Sequence, residues 1–188
     1  MDPLASVIAI HGYHGVANDA WRPWLKQELM ARNVAVAMPT MPTPAHPIEV
    51  EWLDVIDTLV AAAEEPVILL GHSLGGLAAV RWLETRATKQ IHGLIMLGGV
   101  IDASQYGFHD TFSSPSDWTR IRERARHRIG IYGHDDSAVP FSEGETFAKQ
   151  ADALLLDVRG YGHFDAGSGV TEVPELLQTI DQLIQLAK

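Results

Sequence analysis

A serine hydroxyl is a weak nucleophile at neutral pH and gains reactivity when a base lies within hydrogen-bond reach. The stretch Gly71-His72-Ser73-Leu74-Gly75-Gly76 has the spacing G-x-S-x-G, which sets a serine on a tight strand-to-helix turn. Such a turn forces the serine into an unfavourable backbone conformation at a cost of about 1–3 kcal/mol. Side chains at Gly71 or Gly75 would collide across it. The turn aims the Ser73 oxygen at the head of the following helix, where unpaired N–H groups favour negative charge. Groups able to act as base and orienting acid come later in the chain, in Gly133-His134-Asp135-Asp136-Ser137-Ala138-Val139-Pro140 and in Gly160-Tyr161-Gly162-His163-Phe164. Serine, carboxylate and histidine brought together would support acyl transfer through a covalent intermediate.

Those three segments need a scaffold that gathers them. Val7–Ile10, Val34–Met38, Val67–Leu70, Ile91–Leu97, Ile129–Tyr132 and Leu154–Val158 read as strands. They are continuously apolar, as expected for strands covered on both faces. Between them, helical spacing runs over Asp19–Arg32, Glu49–Ala63, Gly75–Arg86 (Leu77, Val80 and Leu83 on one side), Asp117–His127, Glu143–Gln150 and Glu172–Leu186. Asp117 or Ser116 is the expected N-cap of the fourth helix. Six strands alternating with about six helices call for an α/β fold with a parallel sheet and helices on both faces. Ligands of such sheets sit at the carboxyl ends of the strands, where all three segments fall. Pro39–Pro47 holds four prolines and reads as loop.

Composition narrows the chemistry further. The chain has 188 residues, 14 Lys+Arg, 24 Asp+Glu, a net charge of −10 and no cysteine. The length predicts one domain over residues 1–188. Without cysteine there is no thiol catalysis and no Cys-held metal. The acidic balance argues against a nucleic-acid partner. No apolar run approaches a membrane span, and Met-Asp-Pro is unlike a signal peptide, so a cytoplasmic location is expected.

The elbow, the Asp136-x-x-Val139-Pro140 element and Gly162-His163-Phe164 together resemble the α/β-hydrolase fold, in the order Ser, Asp, His. The opening Ile10-His11-Gly12-Tyr13-His14-Gly15, then Trp21-Arg22-Pro23-Trp24-Leu25 and the proline-rich loop followed by Trp52-Leu53, look like the YdeN-like serine hydrolases, which include the retinoblastoma-binding serine hydrolases. The resemblance spans nearly the whole chain and implies a minimal form without a cap domain. It implies Ser73 as nucleophile, His163 as base and Asp136 as orienting acid, with Asp135 the rival for the last role and the expected cap of the following turn. It also implies an oxyanion hole from the backbone N–H groups of Tyr13 and Leu74. Gly12, Gly71, His72 and Gly75 would shape the elbow and pocket. The expected reaction is hydrolysis of a small carboxylic ester, with no cofactor and no metal. A thioesterase, amidase or acyltransferase would use the same triad, and the retinoblastoma-binding relatives imply a protein partner as the alternative role.

Other chemistry-bearing residues have plainer readings. His11 and His14 lie three apart, but no third metal ligand is evident. His72 is expected to pack beside the site, and His134 to stand next to the acid loop. His46, His92, His109 and His127 have no evident partner. Most tryptophans fall on apolar helical faces. The segment from about Val100 to Trp118, with Tyr106, Phe108 and Phe112, is either a small flap over Ser73 or a long loop. Arg120, Arg122, Arg124, Arg126 and Arg128 are expected to spread around a solvated helix, some pairing with surplus acids.

Overall fold

The computed structural model describes residues 2–108 and 111–188. His109 and the middle of the expected flap lie outside the described residues. Six strands form one all-parallel sheet: β1 (Ser6–Ile10), β2 (Ala35–Ala37), β3 (Val67–His72), β4 (Ile91–Leu97), β5 (Ala125–Gly133) and β6 (Leu154–Val158), in the spatial order β2-β1-β3-β4-β5-β6. The helices between them are α1 (Arg22–Ala31), α2 (Glu49–Ala62), α3 (Leu74–Thr85), α4 (Trp118–Arg124), α5 (Phe141–Ala151) and α6 (Pro174–Leu186), with a short 3-10 turn at Ala103–Tyr106.

The unbroken apolar strands follow from burial on both sides. On β1, Ile8 and Ile10 face a core shared with Trp52, Ile56, Leu77 and Phe147. Val7 and Ala9 face a second core with Trp21, Leu25, Leu29, Leu176 and Ile180. Strands β3 and β4 alternate in the same way, with Leu69, Leu94 and Met96 on the first side and Ile68, Leu70, Ile95 and Leu97 on the second. Every residue of β1, β3 and β4 is buried, whereas the edge strands β2 and β6 are partly exposed. The nucleophile segment therefore leaves the most enclosed part of the sheet.

Two element readings change. The fourth helix does not run to His127: it ends at Arg124, and β5 begins at Ala125, paired with Ile91 of β4. The arginines recur at every second position, a strand period rather than a helical one, and Arg126 and Arg128 lie on the strand. They are not simply solvated: Arg128 donates to the Ala151 and Ala125 carbonyls at 2.6 Å each, and Arg122 to the Gln150 carbonyl at 2.6 Å. Helix α3 is not apolar on one side only. Every residue from Leu74 to Val80 is buried, because the helix is wedged between α2, α4 and the sheet. No helix among the described residues is long and apolar enough to cross a membrane.

Candidate active site

Strand β3 runs into Ser73, whose φ of 54° and ψ of −125° place it in the strained region expected for the elbow. A Cβ on Gly71 would sit 2.4 Å from the Gly76 Cα, across the turn as expected. Gly75 differs: its added Cβ would meet the Ile10 carbonyl oxygen of β1 at 2.3 Å, so this glycine serves the contact between α3 and β1. At Gly12 a Cβ would stand 2.7 Å from the Ser73 Cβ, so the loop after β1 reaches the serine only as bare backbone.

The structure brings Ser73, His163 and Asp136 into one chain of hydrogen bonds. The Ser73 Oγ lies 2.9 Å from His163 Nε2, and His163 Nδ1 lies 2.8 Å from Asp136 Oδ2. The Asp136 side chain is 1% exposed, and its other oxygen accepts the Ala138 and Val139 N–H groups at 2.8 Å each. This carboxylate thus has a partner on both oxygens, as a buried charge requires. Asp135 is turned away from the imidazole. It does not cap the following turn. Its Oδ2 accepts the Gly160 and Gly162 N–H groups at 3.0 Å each, bracing the loop that carries His163, and these bonds hold its pKa below the usual value.

Beside the serine, the Tyr13 and Leu74 N–H groups meet no acceptor among the described residues. The Tyr13 ring is exposed and edges the Phe108 ring at a centroid distance of 5.1 Å. A cleft of about 210 Å³ opens at Ser73 and His163, lined by Gly12, Tyr13, His14, Asp19, Arg22 and Asp165 among others. His11 turns its ring away from any metal role: Nδ1–H donates to the Gly12 carbonyl at 2.7 Å and Nε2 accepts the Met41 N–H at 2.7 Å. Burial lowers its pKa, in keeping with a neutral ring that ties the loop after β1 to the proline-rich loop. No group of three His, Asp or Glu side chains suited to a metal ion occurs among the described residues.

His72 does more than pack. Its Nε2–H donates to the His163 carbonyl at 2.7 Å, and its Nδ1 accepts from Arg22 Nη2 at 3.0 Å. Burial, reinforced by the Arg22 charge, holds its pKa well below the usual value. Sequence reasoning passed over Arg22, yet it repeats with Leu25 and Leu29 on the buried face of α1. That spacing was the available signal. Among the other histidines, His92 Nε2–H donates to the Leu183 carbonyl at 2.7 Å, with the His127 ring 5.0 Å away. His134 stacks on Phe141 at 3.9 Å.

A family model described as serine hydrolase matches residues 7–182. YdeN of Bacillus subtilis (strain 168) is 37% identical over 171 residues, covering 89% of this chain and 90% of that protein. The serine hydrolase RBBP9 of Rattus norvegicus is 28% identical, covering 96% of this chain and 95% of its own. The crystal structure of the B. subtilis ydeN gene product superposes with a TM-score of 0.89 at 32% identity, covering 96% of this chain and 99% of that one. The chain belongs to the serine hydrolase family.

Proposed function

We propose that this protein hydrolyses small carboxylic esters, with Ser73 as nucleophile, His163 as general base and Asp136 as its orienting acid. The observation that carries this reading is the unbroken path Ser73 Oγ, His163 Nε2, His163 Nδ1, Asp136 Oδ2, with steps of 2.9 and 2.8 Å. Nδ1–H donates to the carboxylate, so Nε2 is left as the acceptor that takes the serine proton. Ser73 Oγ then attacks the ester carbonyl. The imidazolium formed is stabilised by Asp136 and gives its proton to the departing alcohol. Water repeats the sequence on the acyl-serine, releasing the acid and restoring the enzyme.

The tetrahedral oxyanion takes the Tyr13 and Leu74 N–H groups, each contributing about 10²–10³ in rate as such donors do elsewhere. Both are main-chain donors, so replacing those side chains leaves the hole in place. The cleft is small and largely polar-lined, which favours short esters over long acyl chains. The reading is tested with 4-nitrophenyl esters of increasing acyl length. The expected result is fastest turnover with the shortest acyl groups, and its loss to the background rate in Ser73→Ala. Undiminished turnover in Ser73→Ala would remove the assignment.

A further inference from the structure

The peptide units on either side of Phe164 are both held by side chains from other elements. Trp21, buried at the start of α1, donates its Nε1–H to the Phe164 carbonyl at 2.9 Å. His72 donates Nε2–H to the His163 carbonyl at 2.7 Å. Phe164 itself has a φ of 56°, a conformation that non-glycine residues adopt only under constraint. Arg22 is 2% exposed and divides its guanidinium between Asp19, which pairs with Nη1, and His72 Nδ1, which accepts from Nη2 at 3.0 Å. An arginine is always charged and cannot accept a hydrogen bond. Facing Arg22, His72 Nδ1 must be the bare nitrogen, and the proton must sit on Nε2, the atom that points at the His163 carbonyl.

We infer that Arg22 and His72 are positioning residues that hold the main chain of His163 and so set its ring between Ser73 and Asp136. Asp19 orients Arg22, Arg22 selects the tautomer of His72, and His72 fixes the His163 carbonyl. Without Arg22 the imidazole can take the other tautomer, which turns a lone pair toward that carbonyl and repels it. This inference rests on the reading of Ser73, His163 and Asp136 as the reacting groups.

The test compares His72→Leu, His72→Gln, Arg22→Ala and Arg22→Lys, with Arg22→Ala also made in the His72→Gln background. Glutamine carries a fixed amide donor and has no tautomer to select. Lysine keeps a buried cation beside Asp19 but lacks the fork that serves two acceptors. The expected result is a fall in kcat of about 10- to 100-fold for His72→Leu, Arg22→Ala and Arg22→Lys, with KM for a short ester nearly unchanged, since a small misplacement can cost that much. His72→Gln recovers most of the rate, and adding Arg22→Ala to it changes kcat by no more than about twofold. A second readout needs no turnover: the His163 Nδ1–H proton signal, protected from exchange in the wild type, is lost in His72→Leu and Arg22→Lys and kept in His72→Gln. Retention of that signal in both disruptive variants overturns the inference, as does an Arg22→Ala effect equally large in the His72→Gln background. A wild-type protein that turns over no ester sinks the hydrolase reading instead, and the exchange measurement still decides the brace.

Discussion

Two loops flank Ser73, and they are held in different ways. The loop after β6, from Gly160 to Ser168, is anchored from several directions. Trp21 and His72 take two of its carbonyls, and Asp135 takes the Gly160 and Gly162 N–H groups. Ser168 Oγ accepts the His163 N–H at 3.1 Å. The loop after β4 combines a local cluster of polar side chains with carboxylates of the neighbouring helices that hold its two ends. Asp102 accepts the Ser104 hydroxyl at 2.6 Å, the Gln105 amide at 3.1 Å, the Ser104 N–H at 3.0 Å and the Ser114 hydroxyl at 3.0 Å, which hold its pKa down to about 2. It is fastened to the body at its root, where Ile101 N–H donates to Glu143 at 2.9 Å, and at its far end, where Ser113 N–H donates to Glu49 at 2.6 Å and Ser116 N–H to Glu84 at 2.9 Å, with Phe112 buried edge-on against Trp52 at 5.6 Å. A loop that sets proton-transfer distances needs ångström precision, and bonds from several elements to its main chain supply it. No described residue of the loop after β4 lines the cleft at Ser73, and its fastenings act on its ends rather than on a reacting side chain.

That contrast predicts unequal consequences. Asp136→Asn leaves the fold intact but presents the wrong partner to His163, and kcat should fall by about 10⁴-fold, as in comparable triads. A loss below about tenfold would show that the braced loop needs no acid to hold its imidazole. Phe112→Ala should cost about 3–4 kcal/mol in urea unfolding, because it empties a buried aromatic site in the β4 loop. Short-ester kcat should change far less than stability does, and a parallel collapse of kcat would erase the distinction between the loops.

Smaller effects sharpen the comparison. Asp135→Asn should destabilise the protein by less than about 1 kcal/mol, since the amide oxygen can still accept the Gly160 and Gly162 N–H groups and only solvent-screened charge assistance is lost. Its kcat should drop more than its substrate affinity. The buried state of His72 also predicts a pH dependence of folding. The unfolded chain takes up a proton there as pH falls through 6.5, while the folded protein, whose His72 pKa is depressed, does not. Stability is therefore full above pH 6.5 and declines below it, and the decline should be shallower in His72→Gln when unfolding midpoints are compared across pH. A steeper decline in that variant would contradict the neutral, donor-locked ring. Phe108→Ala should have a modest effect: a change in KM for bulky esters of less than about tenfold and a stability loss of about 1 kcal/mol, because its half-buried ring packs on Tyr13 and the margin of the core.

Much of this architecture was legible in the chain because the relevant signals are local. The apolar strands, the turn at Gly71–Gly75 and the loops that end in Asp136 and His163 each announce themselves within a few residues. Boundaries were less legible where tertiary pairing overrules propensity. Ala125–His127 continues a helical stretch in sequence, yet pairing with β4 draws it into β5. The role of Asp135 was hidden because its partners, Gly160 and Gly162, lie about 25 residues away on another loop. The Arg22–His72–His163 relay was hidden for the same reason, although the burial of Arg22 is written in its spacing to Leu25 and Leu29. The division of labour between the flanking loops depends on which side chains meet across the sheet, and no short window of sequence contains that.

We propose Ser73 as the nucleophile because His163 is held against it, with Nε2 2.9 Å from Oγ. Labelling the intact protein with a fluorophosphonate and mapping the adduct by mass spectrometry tests it most directly. The expected result is a single adduct on the peptide that contains Ser73, absent from Ser73→Ala and formed far more slowly in His163→Ala. An adduct on any other residue, or labelling of Ser73 at an unchanged rate without His163, would contradict it.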